Sequence, residues 1–168
     1  MRALFIGGTG TISTAISHLA IEKGWELYLL NRGNKPDLAP EGAHILQADI
    51  GDPVRVQEII KDLQFDVVAD FIAFVPQHIE RDIALFSGRT RQYIFISSAS
   101  AYQKPLSCYR ITESTPLANP HWEYSRNKIA CEQRLMLEYR TNGFPVTIIR
   151  PSHTYSETGL PLAIHGKD

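Results

Sequence analysis

Tyr124 and Lys128 stand four residues apart in "HWEYSRNKIACEQ", a stretch rich in helix formers. Residues at that spacing share one face of a helix. A free phenol has a pKa of ~10 and is a poor acid at neutral pH. Lowering it by about three units needs ~4 kcal/mol of preference for the phenolate. An ammonium ~4 Å away, at an effective dielectric of ~20, supplies about that much. The pair therefore predicts a tyrosine made acidic by its lysine, able to give a proton to a substrate oxygen or take one from it. A second candidate group lies upstream in "SSASAY" (97–102), where the Ser98 hydroxyl would polarise the same oxygen.

These side chains need a scaffold, and its first element carries chemistry of its own. "RALFI" (2–6) is a short apolar run that reads as a buried strand, and "GGTGTIS" (7–13) follows it directly. Gly7 would permit the tight turn. Gly10 would let backbone amides approach a pyrophosphate at the helix N-terminus, where unpaired N–H groups and the helix dipole favour anions. The third loop position, reserved for close helix–strand packing, is Ser13 rather than glycine. Some twenty residues on, the end of the second strand reads "LLNRGNK", with no carboxylate to accept from a ribose 2′-hydroxyl. Asn31, Arg32 and Lys35 stand there instead. A guanidinium suits a 2′-phosphate, so NADP(H) is expected in preference to NAD(H). In "ADI" (48–50), Asp49 would either accept from the adenine amino group or cap the turn before Asp52–Pro53.

The remaining elements alternate. Ile12, Ile16 and Leu19 recur at helical period and predict the buried face of a first helix closed by Gly24. "ELYLL" (26–30) and "AHILQA" (43–48) read as strands. Asp52 caps a helix with Pro53 at its first position. "DVVADFIAF" holds a fourth strand, and Pro76 opens a helix carrying Ile79, Ile83 and Phe86. "QYIFIS" is a fifth strand, the Tyr124 helix runs to Gly143, and "VTIIR" (146–150) is a sixth strand. Continuous apolar strands alternating with amphipathic helices imply an α/β fold: a doubly wound parallel sheet covered on both faces, of Rossmann type, with strand order 3-2-1-4-5-6. Ligands then sit outside the carboxyl ends of the strands, which puts Ser97 and Ser98 beside the cofactor. The loop from Gln103 to Pro120 is long enough for a functional lid.

Whole-chain properties narrow the classes. The 168 residues suit one domain, 43% hydrophobic and 21% charged, an ordinary globular balance. A net charge of −1 gives no electrostatic case for nucleic acid or an anionic membrane. No apolar stretch approaches the ~18 residues of a membrane span. Cys108 and Cys131 form no metal or redox spacing, and His18, His121 and His153 are scattered, so no metal centre is expected. A soluble, cytoplasmic protein with reduced thiols is the simplest expectation. Trp25 and Trp122 are expected to pack rather than to form a stacking platform.

"GGTGTIS", "ADI", "SSASAY", "YSRNKIACEQ" and "RPSHTY" occur in order and span nearly the whole chain. Together they resemble the N-terminal part of an extended short-chain dehydrogenase/reductase, the NAD-dependent epimerase/dehydratase family. The resemblance implies Ser98, Tyr124 and Lys128 as the catalytic trio. It implies cofactor contacts from Gly7, Thr9, Gly10, Thr11, Ile12, Asn31, Arg32, Asp49, Ile50, Phe71, Ala73, Lys128 and Pro151. It further implies a small-molecule substrate, a sugar hydroxyl or other carbonyl compound, and a homodimer through the Tyr124-bearing helix. "NRG" after the second strand is similar to atypical members, including the chloroplast stem-loop-binding group. The alternative expectation is therefore a cofactor-binding sensor or RNA-associated protein without turnover. Two departures stand out. Ser156 replaces a glycine frequent in the family, and the chain stops at Asp168 without the smaller substrate-binding domain. The expectation is that residues 1–168 form the dinucleotide-binding domain of a longer protein.

Overall fold

The structure, a computed structural model, describes residues 1–155; Ser156 lies outside the described residues. Six strands, β1 (Arg2–Ile6), β2 (Glu26–Asn31), β3 (His44–Gln47), β4 (Val67–Asp70), β5 (Tyr93–Ile96) and β6 (Val146–Ile149), form one sheet. Its order is β3-β2-β1-β4-β5-β6 and all pairs are parallel. This is the expected Rossmann arrangement. Four helices connect the strands: α1 (Ser13–Glu22), α2 (Pro53–Ile60), α3 (Pro76–Phe86) and α4 (Glu123–Asn142). Among the described residues no helix is long and apolar enough to cross a membrane.

The boundaries follow local chemistry. Asp52 caps α2 by accepting from Arg55 N at 3.1 Å, with Pro53 at the first helical position. α4 ends where Gly143 takes φ +72°, a left-handed conformation natural to glycine. The larger core lies on one face, where Leu4, Ile6, Val68, Tyr93 and Phe95 pack against α2, α3 and α4 through Val56, Ile60, Ile79, Phe86 and Leu135.

The other face carries α1 and differs from expectation twice. The face that α1 buries is Ser13, Ser17 and Ala20, not Ile12, Ile16 and Leu19. Ile16 is 39% and Leu19 50% exposed. Small side chains win because the helix lies close against the strands. There the Ser17 hydroxyl donates to Gly8 O at 2.9 Å, and the Ser13 hydroxyl donates to Gly7 O at 2.6 Å. Larger residues would hold the helix away. Cover on this face is also partial. The described helices leave β6 open there, with Thr147 and Ile149 exposed beside Ile94.

The β4–α3 turn follows from one carboxylate. Asp70, fully buried at the end of β4, accepts from Ile72 N at 2.5 Å and Ala73 N at 2.8 Å. This folds residues 71–75 over the strand ends.

Candidate active site

Three elements bring the Ser98, Tyr124 and Lys128 side chains together at the carboxyl end of the sheet. Ser98 leaves β5 into a short turn, Ala99–Ala101, and its oxygen accepts from Ser100 N at 3.1 Å. Ser125 on α4 donates to Ser100 Oγ at 3.0 Å, and Asn119 donates to Ser100 O at 2.8 Å, so this turn is tied to the start of α4. Tyr124 is half-buried beside the Ser98 hydroxyl. Lys128, one turn further along the same helix face, is buried. Its Nζ donates to Ala73 O at 2.6 Å and Ile96 O at 2.7 Å. It thereby joins the ends of β4 and β5. Its ammonium also lies 4.6 Å from the centre of the Phe74 ring, 4.7 Å from Phe95 and 5.6 Å from Tyr124.

The electrostatics overturn one expectation. Tyr124 is not made acidic in this arrangement. Burial raises its pKa, opposed by the neighbouring Ser98 hydroxyl, and Lys128 does not counter the rise. The amine is turned to two carbonyl oxygens instead of the phenol oxygen. Burial in turn pulls the Lys128 ammonium down to about 8. Trp122 also departs from the expected packing role. It is 56% exposed, with its ring 4.7 Å from that of Tyr124, and exposed Phe74 stands 6.2 Å away on another side. Trp25 does pack, against the α1-side core.

A cavity of about 460 Å³ opens beside the glycine loop. Of the sequence-predicted cofactor residues it gathers Gly7, Thr9, Gly10, Asn31, Arg32, Asp49 and Ile50, together with Lys35. Thr11, Ile12, Phe71, Ala73, Lys128 and Pro151 do not line it. Phe71 sits edge-on to Phe5 at 5.6 Å and packs against the α1-side core. Ala73 is buried and offers its carbonyl to Lys128. Pro151 O accepts from Ala99 N at 2.9 Å.

Gly7 has φ +80°, and a Cβ there would lie 2.6 Å from Ile72 Cγ2, so any other residue is strained in this turn. Ser13, in place of the third glycine, accepts from Gly10 N at 2.8 Å while donating to Gly7 O, and so cross-links the loop. Ile12 at the α1 N-cap supplies no side-chain acceptor to the first-turn amides. Asp49 caps its own turn, accepting from Gly51 N at 2.8 Å, and also lines the cavity.

Residues 3–165 match the model of the NAD dependent epimerase/dehydratase family. The chain belongs to that family. A curated relative, UDP-glucose 4-epimerase from Lactobacillus helveticus, is 27% identical over 89% of this chain and 51% of its own length. The chain thus spans about half the length of that relative. Among solved structures, the UDP-Glc/GlcNAc 4-epimerase of Campylobacter jejuni superposes with a TM-score of 0.78 at 22% identity, covering 89% of this chain and 52% of its own. The dTDP-glucose 4,6-dehydratase of Bacillus anthracis, solved with NAD, gives 0.76 at 20% identity, covering 89% and 54%. At these identities the structures establish the shared fold.

Sequence reading missed two buried charged groups in this family member. Asp70 and Asp82 are both fully buried, bracketed by Arg81 and Tyr93. Glu132, one turn beyond Lys128, accepts from Ser97 Oγ at 2.5 Å and takes a two-pronged contact from Arg150, Nη2 to Oε2 at 2.6 Å and Nε to Oε1 at 2.9 Å. That second group locks β5, β6 and α4 together beneath the site. A signal was present in both cases: Asp82 and Glu132 sit within apolar stripes at helical spacing, beside Ile79 and Ile83, and beside Cys131 and Leu135.

Proposed function

We propose that this chain is the cofactor-binding portion of a nicotinamide-dinucleotide-dependent epimerase or dehydratase acting on a nucleotide-linked sugar. The observation that carries the reading is the convergence of Ser98, Tyr124 and Lys128 at the same sheet end as the glycine-loop cavity. The cavity suits the phosphate-bearing half of a dinucleotide. Its Gly7 turn brings the backbone close without a side chain in the way, and Arg32 and Lys35 favour an anion. When bound, the nicotinamide supplies the acceptance and return of a hydride.

The protein's own residues handle the proton. Ser98 accepts from Ser100 N, so its hydroxyl proton remains available to polarise a substrate oxygen. Tyr124, kept neutral by burial, is arranged to donate its phenolic proton to that oxygen. Lys128 fixes the ends of β4 and β5 and holds positive charge beneath the Tyr124 ring. Arg32 and Lys35, with no carboxylate at the end of β2, favour NADP(H) over NAD(H). Half-buried Ile129 and Met136 with exposed Leu137 and Tyr139 on α4 support a homodimer through that helix.

The first test is thermal stability with NAD⁺ and NADP⁺. Ligand at about 100 times its dissociation constant adds ~2.7 kcal/mol, and no shift with either removes the cofactor reading. The second is Tyr124→Phe in the complete protein with UDP-glucose as probe. Unchanged turnover would exclude the assigned proton donor.

A further inference from the structure

One wall of the glycine-loop cavity is contributed by α3, through His78 and Arg81. Arg81 has a divided guanidinium. Its Nε donates to Asp82 Oδ1 at 2.8 Å, and its Nη2 lies 2.7 Å from Asp82 Oδ1 and 3.4 Å from Asp70 Oδ2. Both carboxylates are fully buried. No described residue accepts from Nη1, the side chain keeps 13% exposure, and Arg81 lines the cavity. A guanidinium is a rigid fork of five donors. Here one edge is spent on the buried pair, which clamps the group, and the other edge is unspent.

The cavity that Arg81 lines is an anion site by composition. Ile72, next but one to Asp70, closes against the Gly7 turn, so the end of β4 abuts the glycine loop. The cavity is lined by Arg32, Lys35 and Arg81, with Asp49 the one carboxylate among the lining residues. His78 does not add a charge, since burial and the Arg81 charge lower its pKa.

We infer that Arg81 is a ligand-contact residue, its Nη1 edge donating to a phosphate oxygen of the dinucleotide's adenylate half from the side opposite the glycine loop. This rests on the cofactor reading above. Neither the glycine motif nor the basic pair after β2 points to it, because it comes from α3. The buried Asp70–Asp82 pair is its support, as the fork is already ordered before ligand arrives.

The test is isothermal titration calorimetry of the 168-residue chain with NAD⁺, ADP and adenosine. ADP and adenosine share base and ribose, and only ADP carries phosphate. Arg81→Lys keeps a positive charge for the buried pair and loses the second edge of the fork. It is expected to weaken ADP and NAD⁺ by about tenfold and leave adenosine unchanged. Arg81→Gln is expected to do the same with a lower melting temperature, since it strands a buried carboxylate. The inference is overturned if Arg81→Lys, still folded, binds ADP as the unaltered chain does, or if ADP and adenosine weaken equally. The cofactor reading survives either result. An unaltered chain that binds none of the three ligands removes both.

Discussion

The Asp70–Asp82 pair requires only one negative charge, and that makes it sensitive to double substitution in a calculable way. Asp70 takes two backbone amides and Arg81. Asp82 takes the Tyr93 hydroxyl at 2.6 Å and Arg81, and lies beside Asp70. Burial, and then the Asp70 charge, raise the Asp82 pKa well above its ordinary 3.8, so Asp82 carries the shared proton. Asp82→Asn replaces a neutral carboxyl with an amide of the same shape and costs about 1 kcal/mol. Asp70→Asn keeps an oxygen for the two amides, and Asp82 then ionises to face Arg81, again at about 1 kcal/mol. The double variant leaves a largely buried guanidinium with no counter-charge and costs about 5 kcal/mol. The coupling is therefore about 3 kcal/mol. Urea unfolding followed by far-UV circular dichroism at pH 7 measures each corner of the cycle. There is also a pH signature. In the window above 3.8 the folded chain holds a proton at Asp82 that the unfolded chain has released. Stability from this group is full below that value and falls as pH rises towards the raised one, by ~1.4 kcal/mol per unit. Asp82→Asn loses that slope, so its cost relative to the unaltered chain shrinks with rising pH. Additivity to within ~0.5 kcal/mol, or a cost of ~3 kcal/mol for Asp82→Asn at pH 7, would refute the shared-proton account.

Three further outcomes are expected. Glu132→Gln breaks the two-pronged Arg150 contact beneath the site and lowers unfolding free energy by about 3 kcal/mol in the same urea assay. Gly7→Ala forces a Cβ onto Ile72 at a positive φ. It costs about 2 kcal/mol and weakens NAD⁺ binding in a titration; an alanine chain with unaltered affinity would contradict the tight-turn role. Cys131 is buried and its thiol is pushed up to about 12 by that burial, whereas Cys108 is exposed. Ellman's reagent is therefore expected to modify one thiol in the folded chain and the second only in denaturant.

The fold was legible because its strands are continuous apolar runs. Ala3, Leu4, Phe5 and Ile6 are all buried, as a strand packed on both faces must be. Caps and glycines then marked the helix ends at Asp52, Pro76 and Gly143. What misled was size. A search for large apolar residues at helical period finds Ile16 and Leu19 in α1, while contact with the glycine loop selects the parallel stripe of small residues, Ser13, Ser17 and Ala20. At the site, one-turn spacing correctly put Tyr124 and Lys128 on a common face. It did not say where the amine's donors go. Two strand-end carbonyls, brought there by separate stretches of chain, capture them, and no spacing rule contains that contact. The Asp82 and Glu132 carboxylates were read past because an acid in an amphipathic helix is ordinarily assigned to its wet face.

Lys128 is neutralised by no carboxylate within bonding distance among the described residues; carbonyl dipoles hold it. Its field, offset in part by Asp70 and Glu132, adds to those of Arg32 and Lys35, which line the cavity at the same sheet end. A molecule of overall charge −1 can in this way present an attractive mouth to a polyanion. Capture of a dinucleotide would then slow as ionic strength increases, the reverse of what the overall charge suggests.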